Sequence, residues 1–467
     1  GHHRGRHPTG VKPAWAAAGA ALALAVWMDL SPLHAYHRAD SFLPVFSALY
    51  QWTPFFWEQN RFGQLIPLLS LWIDSPFANL LFQVGLRLFA VAASFFLLAR
   101  AVVPRPYWPA VGALTLALWI GFRGIEDHAF MQMQPYGQAA ALGLGGLLLL
   151  ESRQRAAGLG LLLLAFWVSL TALFWLLPLA VARRAKPLVL SALALSFGAS
   201  LLFSRLSVYR RATSFSLARS ADWLPGWRTL AERSLDYLSL PLMLAALGML
   251  VAALLLRRRL AVGAGLALLA AGLGELVVMG MAYWTKHNSW SVRYVSTELL
   301  AVGMLAPALA LILLLEGRPE RWHRAANALG LGALLLATAL RYGAPSVDRA
   351  RTALDRFGAH TDEVLASGAT HLIGDYFRTW PAAFHANVVR WERGEATPVW
   401  VISLRSGPTE PLWRPEDWGG ARIAVLRGDG AEAMRRKYRL PELVLVEDLG
   451  ELRVYRAGPD LAVSSGP

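Results

Sequence analysis

The sequence of 467 residues contains no cysteine, and only 16% of its residues are charged, whereas soluble domains average about 25%. Without cysteine the chain has no thiol nucleophile, no disulfide and no Cys-ligated zinc or iron–sulfur centre. It also lacks a glycine-rich phosphate-binding loop. Hydrophobic residues make up 55% of the chain. These proportions exclude a disordered chain, a collagen, a disulfide scaffold and an ordinary soluble enzyme.

Basic residues exceed acidic ones, which gives a formal net charge of +14. Of the 45 basic residues, 41 are arginine, and many stand in short clusters beside apolar runs. Membrane proteins concentrate positive charge in this way in their cytoplasmic loops. The charge therefore indicates a membrane protein and argues against nucleic acid as a partner.

Apolar runs long enough for membrane helices recur along the first 341 residues. The sequence predicts eleven spans: 14–29, 76–99, 107–122, 136–150, 157–168, 170–182, 187–206, 236–256, 260–284, 295–315 and 325–341. The fifth and sixth form one apolar stretch, which is either one long helix or two short ones. Basic residues flank both ends of this stretch, which favours a chain that crosses and returns.

The basic clusters also predict the orientation. The loops 1–13, 100–106, 151–156, 183–186, 257–259 and 316–324 hold 16 Lys and Arg residues between them. The positive-inside rule places these loops in the cytoplasm. We therefore expect a cytoplasmic N-terminus and, after eleven crossings, a C-terminus on the other side.

The last part of the chain has a different sequence pattern from the apolar runs before it. A helical pattern covers 344–368, and short β-branched runs then alternate with helical ones. The runs are 371–373, 399–404, 422–426, 443–446 and 452–455. Such alternation predicts a small α/β domain. The expected organisation is a mainly α transmembrane bundle over 1–343, with interfacial helices, and an extracytoplasmic α/β domain over 344–467.

The loop after the first span carries the candidate catalytic base, Asp40. Apolar residues recur at helical spacing over 42–49, which predicts a helix in the membrane interface. A carboxylate at the start of this helix can accept a proton from a hydroxyl. The alternative is that Asp40 only caps the helix. Arg38, Glu58 and Arg61 of the same loop are candidate substrate-binding residues, although the last two can also form a local ion pair.

The second outer loop contains Glu126, Asp127 and His128, which are candidates for binding a sugar. If a divalent cation is bound, Asp127 and His128 are its candidate ligands, but no second histidine follows at ligand spacing. Capping of the fourth span explains the same residues equally well.

Before the tenth span stand Lys286, His287, Arg293 and Tyr294. A guanidinium at this depth can bind a lipid phosphate. An interfacial anchor of the usual aromatic and basic kind is the alternative.

Two charged residues fall inside predicted spans, Arg87 in the second and Glu275 in the ninth. Such residues are costly in hydrocarbon and commonly functional. They can pair with each other, or serve as the switch of a transporter or flippase for a lipid or a lipid-linked sugar. The long outer loops and the C-terminal domain favour an enzyme instead.

Taken together, these features resemble the GT-C superfamily of polytopic glycosyltransferases. The resemblance rests on the predicted topology, on Asp40 after the first span, on the acidic pair Glu126 and Asp127, on the apolar stretch 166–178 and on the segment 371–376. It covers nearly the whole chain.

The resemblance implies a sugar donor carried on polyprenyl phosphate, an inverting transfer and no bound nucleotide. Asp40 would deprotonate the acceptor hydroxyl, and Arg293 would stabilise the departing lipid phosphate. The acceptor would be a glycan, a lipid or a protein outside the cytoplasm, and the enzyme a multi-pass protein of the bacterial inner membrane.

Overall fold

A computed structural model describes residues 11–57, 62–124, 135–152, 154–205, 216–395, 397–404, 406–428 and 431–457. The chain forms two compact units. The helical unit comprises Gly1–Met28, Asn60–Gly63 and Gly85–Pro345, and the mixed unit comprises Asp29–Gln59, Gln64–Val84 and Ser346–Pro467. Most of the loop after the first span thus belongs to the same unit as the C-terminal sheet.

Each of the eleven apolar segments predicted from the sequence corresponds to a helical segment. They are α1 Val11–Asp29, α4 Pro76–Val102, α5 Trp108–Phe122, α6 Tyr136–Leu150, α7 Arg155–Val168, α8 Leu173–Ala182, α9 Pro187–Ser204, α11 Leu240–Leu255, α12 Arg259–Met281, α14 Ser296–Leu315 and α15 Glu320–Tyr342. The shorter α10 Trp223–Leu238 and α13 Tyr283–His287 lie between them.

Among the described residues, five helices are long and apolar enough to cross a membrane, and seven spans result if each of two bent helix pairs counts as one. Three further apolar helices are shorter. Large apolar side chains of α11 and α15 are exposed, for example Leu255 at 78% and Leu340 at 79%. Exposed leucine on this scale fits contact with lipid, and the chain is a polytopic membrane protein.

The apolar stretch around residue 169 is not one continuous helix. Helix α7 ends at Val168, Ser169 is extended, and the 3-10 turn Leu170–Ala172 leads into α8. The chain bends by 118° between the two helical segments. The backbone carbonyl of Trp167 accepts a hydrogen bond from Gly63 N at 2.9 Å, so it is satisfied by the loop instead of by a further helical turn.

Small residues allow helices of the helical unit to approach closely. A Cβ atom on Gly158 would lie 2.8 Å from the Leu150 backbone nitrogen, and one on Gly146 would lie 2.9 Å from the Gly158 carbonyl. Membrane helices use glycine in this way because the hydrophobic effect does not drive their association.

The mixed unit contains a five-stranded sheet in the order β2-β1-β3-β5-β4. Its strands are β1 His371–Ile373, β2 Trp400–Ile402, β3 Arg422–Leu426, β4 Leu443–Asp448 and β5 Leu452–Ala457. Strand β1 pairs in parallel with β2 and β3, whereas β5 is antiparallel to β3 and β4. All five β-branched runs of the sequence analysis are therefore strands of one sheet.

The helices of this unit are α2 Ala39–Tyr50, α3 Leu65–Leu69, α16 Val347–Asp355, α17 Thr361–Ala366, α18 Tyr376–Glu392, α19 Glu410–Trp413 and α20 Ala431–Tyr438. The helical pattern over 344–368 is interrupted by the 3-10 turn Arg356–Gly358. The His385 ring lies against this turn, where a Cβ atom on Gly358 would come within 2.5 Å of it.

Helix α2 is buried on nearly all sides and packs against α18 through aromatic rings. Phe42 stacks on Phe384 at 4.5 Å between centroids, and Phe46 meets Trp380 edge-on at 5.0 Å. Aromatic pairs of this kind add about 0.5–1.5 kcal/mol each to the area they bury. The two pairs hold α2 against the second and third turns of α18.

The buried His371 of β1 predicts a loss of stability in acid. Its Nε2 donates to the Trp413 carbonyl at 2.6 Å and its Nδ1 lies 2.8 Å from Thr370 Oγ1, so both nitrogens of the neutral ring have a polar neighbour. Burial lowers the pKa of His371 from 6.5 to about 4. Since the folded protein holds this proton less tightly than the unfolded chain, the stabilisation is complete above pH 6.5 and disappears as the pH falls through 4.

The difference between the pKa of His371 in the folded protein and in the unfolded chain corresponds to about 3 kcal/mol of stability. Thermal unfolding of the parent and of His371→Gln, measured between pH 7 and pH 4, checks it. The variant should lose less stability over this range. His385, whose pKa burial also lowers, contributes in both proteins and cancels in the comparison. Equal pH profiles would contradict the prediction.

Candidate active site

Asp40 lies in the first turn of α2, and Tyr376 is the first residue of α18. The Tyr376 hydroxyl donates a hydrogen bond to Asp40 Oδ1. Asp40 is half-buried, whereas Tyr376 is buried at 4% exposure. The carboxylate thus combines partial access with a fixed orientation, which a general base requires.

The alternative role of Asp40 as the cap of α2 does not match the geometry. The N-cap position is occupied by Arg38, whose side chain makes no capping hydrogen bond, and Asp40 is the second residue of the helix. A carboxylate at this position still interacts favourably with the helix dipole. Its side-chain partner, however, is the hydroxyl of Tyr376, which is 336 residues away in the sequence.

Two buried histidines that are hydrogen-bonded to each other precede Asp40. They were not among the candidate site residues predicted from the sequence. His34 Nε2 donates to the Asp29 carbonyl at 2.7 Å and lies 3.3 Å from its carboxylate. His37 Nε2 lies 3.0 Å from His34 Nδ1, so that His37 donates to His34. Both rings are at most 2% exposed. Two histidines three residues apart directly after a span are the sequence signal for this chain of hydrogen bonds.

Arg293 lies in the 3-10 turn Val292–Val295 that leads into α14. Its Nη2 donates to Asn288 Oδ1 at 3.2 Å and to the Tyr294 hydroxyl at 2.9 Å, and its guanidinium carbon lies 4.9 Å from the Tyr294 ring centroid. No carboxylate among the described residues pairs with it. Arg293 therefore has a positive charge that is oriented by neutral groups and available to an anion.

The neighbouring cations differ from Arg293. Lys286 Nζ lies 2.7 Å from Asp222 Oδ2, so its charge is already neutralised within the helical unit. The His287 ring is exposed and lies parallel to the Tyr283 ring at 6.1 Å. Of these three candidates, Arg293 is the best suited to bind a phosphate.

The remaining candidate residues belong to the two outer loops. Arg38 is exposed. Glu58, Arg61, Glu126, Asp127 and His128 lie outside the described residues. Among the residues that the structure describes, no group of three His, Asp or Glu side chains is placed to hold a metal ion.

The buried Glu275 of α12 is bonded to the start of α14. Its Oε2 accepts from the Glu298 backbone N–H at 2.7 Å, and Glu298 Oε2 accepts from Ser234 Oγ at 2.7 Å. The hypothesis that Glu275 pairs with Arg87 is not supported by these contacts. Glu275 instead connects α12 to α14.

Two solved structures match this chain over nearly its whole length, and both are of ArnT from Cupriavidus metallidurans. The structure of the apo state gives a TM-score of 0.50 at 13% identity and covers 96% of this chain and 99% of that chain. The structure bound to undecaprenyl phosphate gives a TM-score of 0.46 at 12% identity and covers 98% and 99%.

No protein-family model matches the sequence. No curated protein matches it either. The match to the apo state of ArnT shows that the chain has the ArnT-like polytopic fold. The fold expected from the sequence is confirmed.

Proposed function

We propose that this protein is a GT-C membrane glycosyltransferase that moves a monosaccharide from a polyprenyl-phosphate carrier to an acceptor hydroxyl outside the cytoplasm. The observation that carries the proposal is the Asp40–Tyr376 pair at the start of α2, in a chain with the fold of ArnT. ArnT is itself a protein that binds undecaprenyl phosphate.

In the proposed reaction Asp40 takes the proton of the acceptor hydroxyl. The acceptor oxygen attacks the anomeric carbon from the face opposite the lipid phosphate, and the bond between that carbon and the phosphate oxygen breaks. A single displacement of this kind inverts the anomeric centre. Tyr376 holds the carboxylate in place during the transfer.

The departing group is a polyprenyl phosphate, whose negative charge grows as the bond breaks. Arg293 is the proposed partner of this charge because its guanidinium is unopposed by a described carboxylate. A positive group positioned where charge develops stabilises the transition state more than the ground state.

Mass spectrometry of lipid-linked sugars in a deletion strain tests the proposal. A transferase predicts that the polyprenyl-linked donor accumulates and that the acceptor stays unmodified, and that the parent gene restores both whereas Asp40→Asn does not. A flippase using Arg87 and Glu275 predicts donor trapped on the cytoplasmic leaflet. That result, or rescue by Asp40→Asn, would contradict the transferase.

The proposed topology makes a separate prediction. A reporter fused after Gly343 should be extracytoplasmic, and one fused after Arg184 should be cytoplasmic, because the basic clusters favour the inner face. Paired fusions to alkaline phosphatase and green fluorescent protein measure this. If the fusion after Arg184 reports from outside, the bent pair α7 and α8 is a single crossing and the later loops, including that of Arg293, change sides.

A further inference from the structure

A cavity of about 200 Å³ in the mixed unit is lined by residues that no step of the proposed transfer uses. Its wall contains Tyr50 at the end of α2, Asp74 from the loop before α4, Arg390 and Trp391 near the end of α18, and Glu395 just beyond it. All of these residues belong to one compact unit. The cavity is therefore a feature of that unit alone.

Three polar groups in the wall make no hydrogen bond with any residue that the structure describes. They are the Tyr50 hydroxyl, the Asp74 carboxylate and the Trp391 indole N–H. Burial raises the pKa of Tyr50 to about 12, so its hydroxyl is a donor at neutral pH. Asp74 and Trp391 are exposed and Tyr50 is half-buried, so all three residues are accessible to a ligand from solution. Two donors and one acceptor among the lining residues match the hydrogen-bonding groups of a hydroxylated ligand.

The net charge of the cavity wall indicates the chemical class of this ligand. The guanidinium of Arg390 is already used, since it donates to the Thr397 carbonyl at 2.8 Å and the Ala369 carbonyl at 3.0 Å and lies 3.4 Å from Glu395. The Asp74 charge is left unopposed. The cavity therefore has a net negative charge, which disfavours a phosphate and favours hydroxyl groups.

The indole of Trp391 is 49% exposed and provides an apolar face beside these polar groups. The C–H bonds of a sugar ring pack on such a face, because the aromatic π-system is negative and the C–H groups are slightly positive. Pockets for drug-sized ligands begin at about 300 Å³. A smaller cavity, with an aromatic face and both donors and acceptors, suits a single sugar ring.

We propose that this cavity binds a sugar residue of the acceptor, so that the acceptor is a glycan several residues long. The identification of the ligand as the acceptor rests on the proposed function. Binding of a sugar in the cavity does not itself require the reaction. Asp40 and Tyr50 are ten residues apart on α2, which is about 15 Å along a helix. One end of the glycan would be at Asp40 and a more distant sugar in the cavity.

Saturation-transfer NMR titrations of the purified full-length protein in detergent test this, with maltotriose, mannotriose and chitotriose as probes. At least one trisaccharide should bind. Trp391→Ala should weaken that binding about tenfold or more, and Tyr50→Phe and Asp74→Asn about fivefold each. The two conservative variants keep the shape of the wall and guard against a folding defect.

Trp322→Ala is the matched control, since Trp322 is similarly exposed at 52% and lies on α15 of the helical unit. It should bind the trisaccharide as the parent does. Binding by none of the three probes, or equal binding by the parent, Trp391→Ala and Trp322→Ala, would overturn the inference.

The inference and the proposed function can fail separately. If binding is lost in Trp391→Ala while the deletion strain shows no transferase defect, the sugar site stands and the proposed reaction fails. If the strain shows the defect but no trisaccharide binds, the reaction stands and the sugar site fails.

Discussion

Asp40→Asn is expected to lower the rate of sugar transfer by about a hundred- to ten-thousand-fold, the range that general-base catalysis contributes. Asparagine keeps the size of the side chain and an oxygen that can accept from the Tyr376 hydroxyl, so α2 and α18 should stay packed. Only the basicity is removed. Initial rates of the purified variant and the parent, with lipid-linked sugar extracted from the deletion strain, measure the effect.

Tyr376→Phe is the control that separates basicity from position. It leaves the carboxylate intact and removes the hydroxyl that orients it, so we expect a loss of about tenfold, the value of one such hydrogen bond. Both variants should match the parent in thermal unfolding to within a few degrees. Activity of Asp40→Asn within a few-fold of the parent would return Asp40 to a structural role at the start of α2.

The helices and strands of this chain were predictable because they depend on local patterns. Each apolar segment is a contiguous run, and the strand 371–373 is recognisable from three residues flanked by turn signals. The break at Ser169 was also expected, since basic residues at both ends of the stretch are compatible with two short helices. The positions of helices can be predicted from the local sequence because the hydrogen bonds within a helix, and the burial of one apolar segment, need no specific residue elsewhere in the chain.

The partners of the functional side chains were not predictable. Asp40 meets Tyr376, and Lys286 meets Asp222, across long separations in the sequence. The sequence placed Lys286 and Arg293 together as candidate phosphate ligands, but the ion pair with Asp222 distinguishes them. Which cation keeps an unopposed charge depends on the packing of helices, and no pattern of residue types encodes it.

Arg293→Ala is expected to raise the KM for the lipid-linked donor about a hundredfold, and Arg293→Lys about tenfold. The planar guanidinium can bind two phosphate oxygens at once, which an ammonium group cannot, and charge-assisted hydrogen bonds are worth about 1.5–3 kcal/mol. Lysine keeps the charge and loses this geometry. The energy with which Arg293→Lys binds the donor phosphate should therefore lie between the values for the parent and for Arg293→Ala.

Initial rates against donor concentration decide between this role and that of an interfacial anchor, which lysine would fill equally well. Lys286→Ala is the matched control: its charge is already opposed by Asp222 at 2.7 Å, so its loss should change the donor KM by less than about threefold. Parental kinetics in Arg293→Lys, or a larger effect of Lys286→Ala than of Arg293→Ala, would remove Arg293 from the phosphate site. The donor phosphate would then need another cation, and Arg61 of the first outer loop and Lys286 are the candidates.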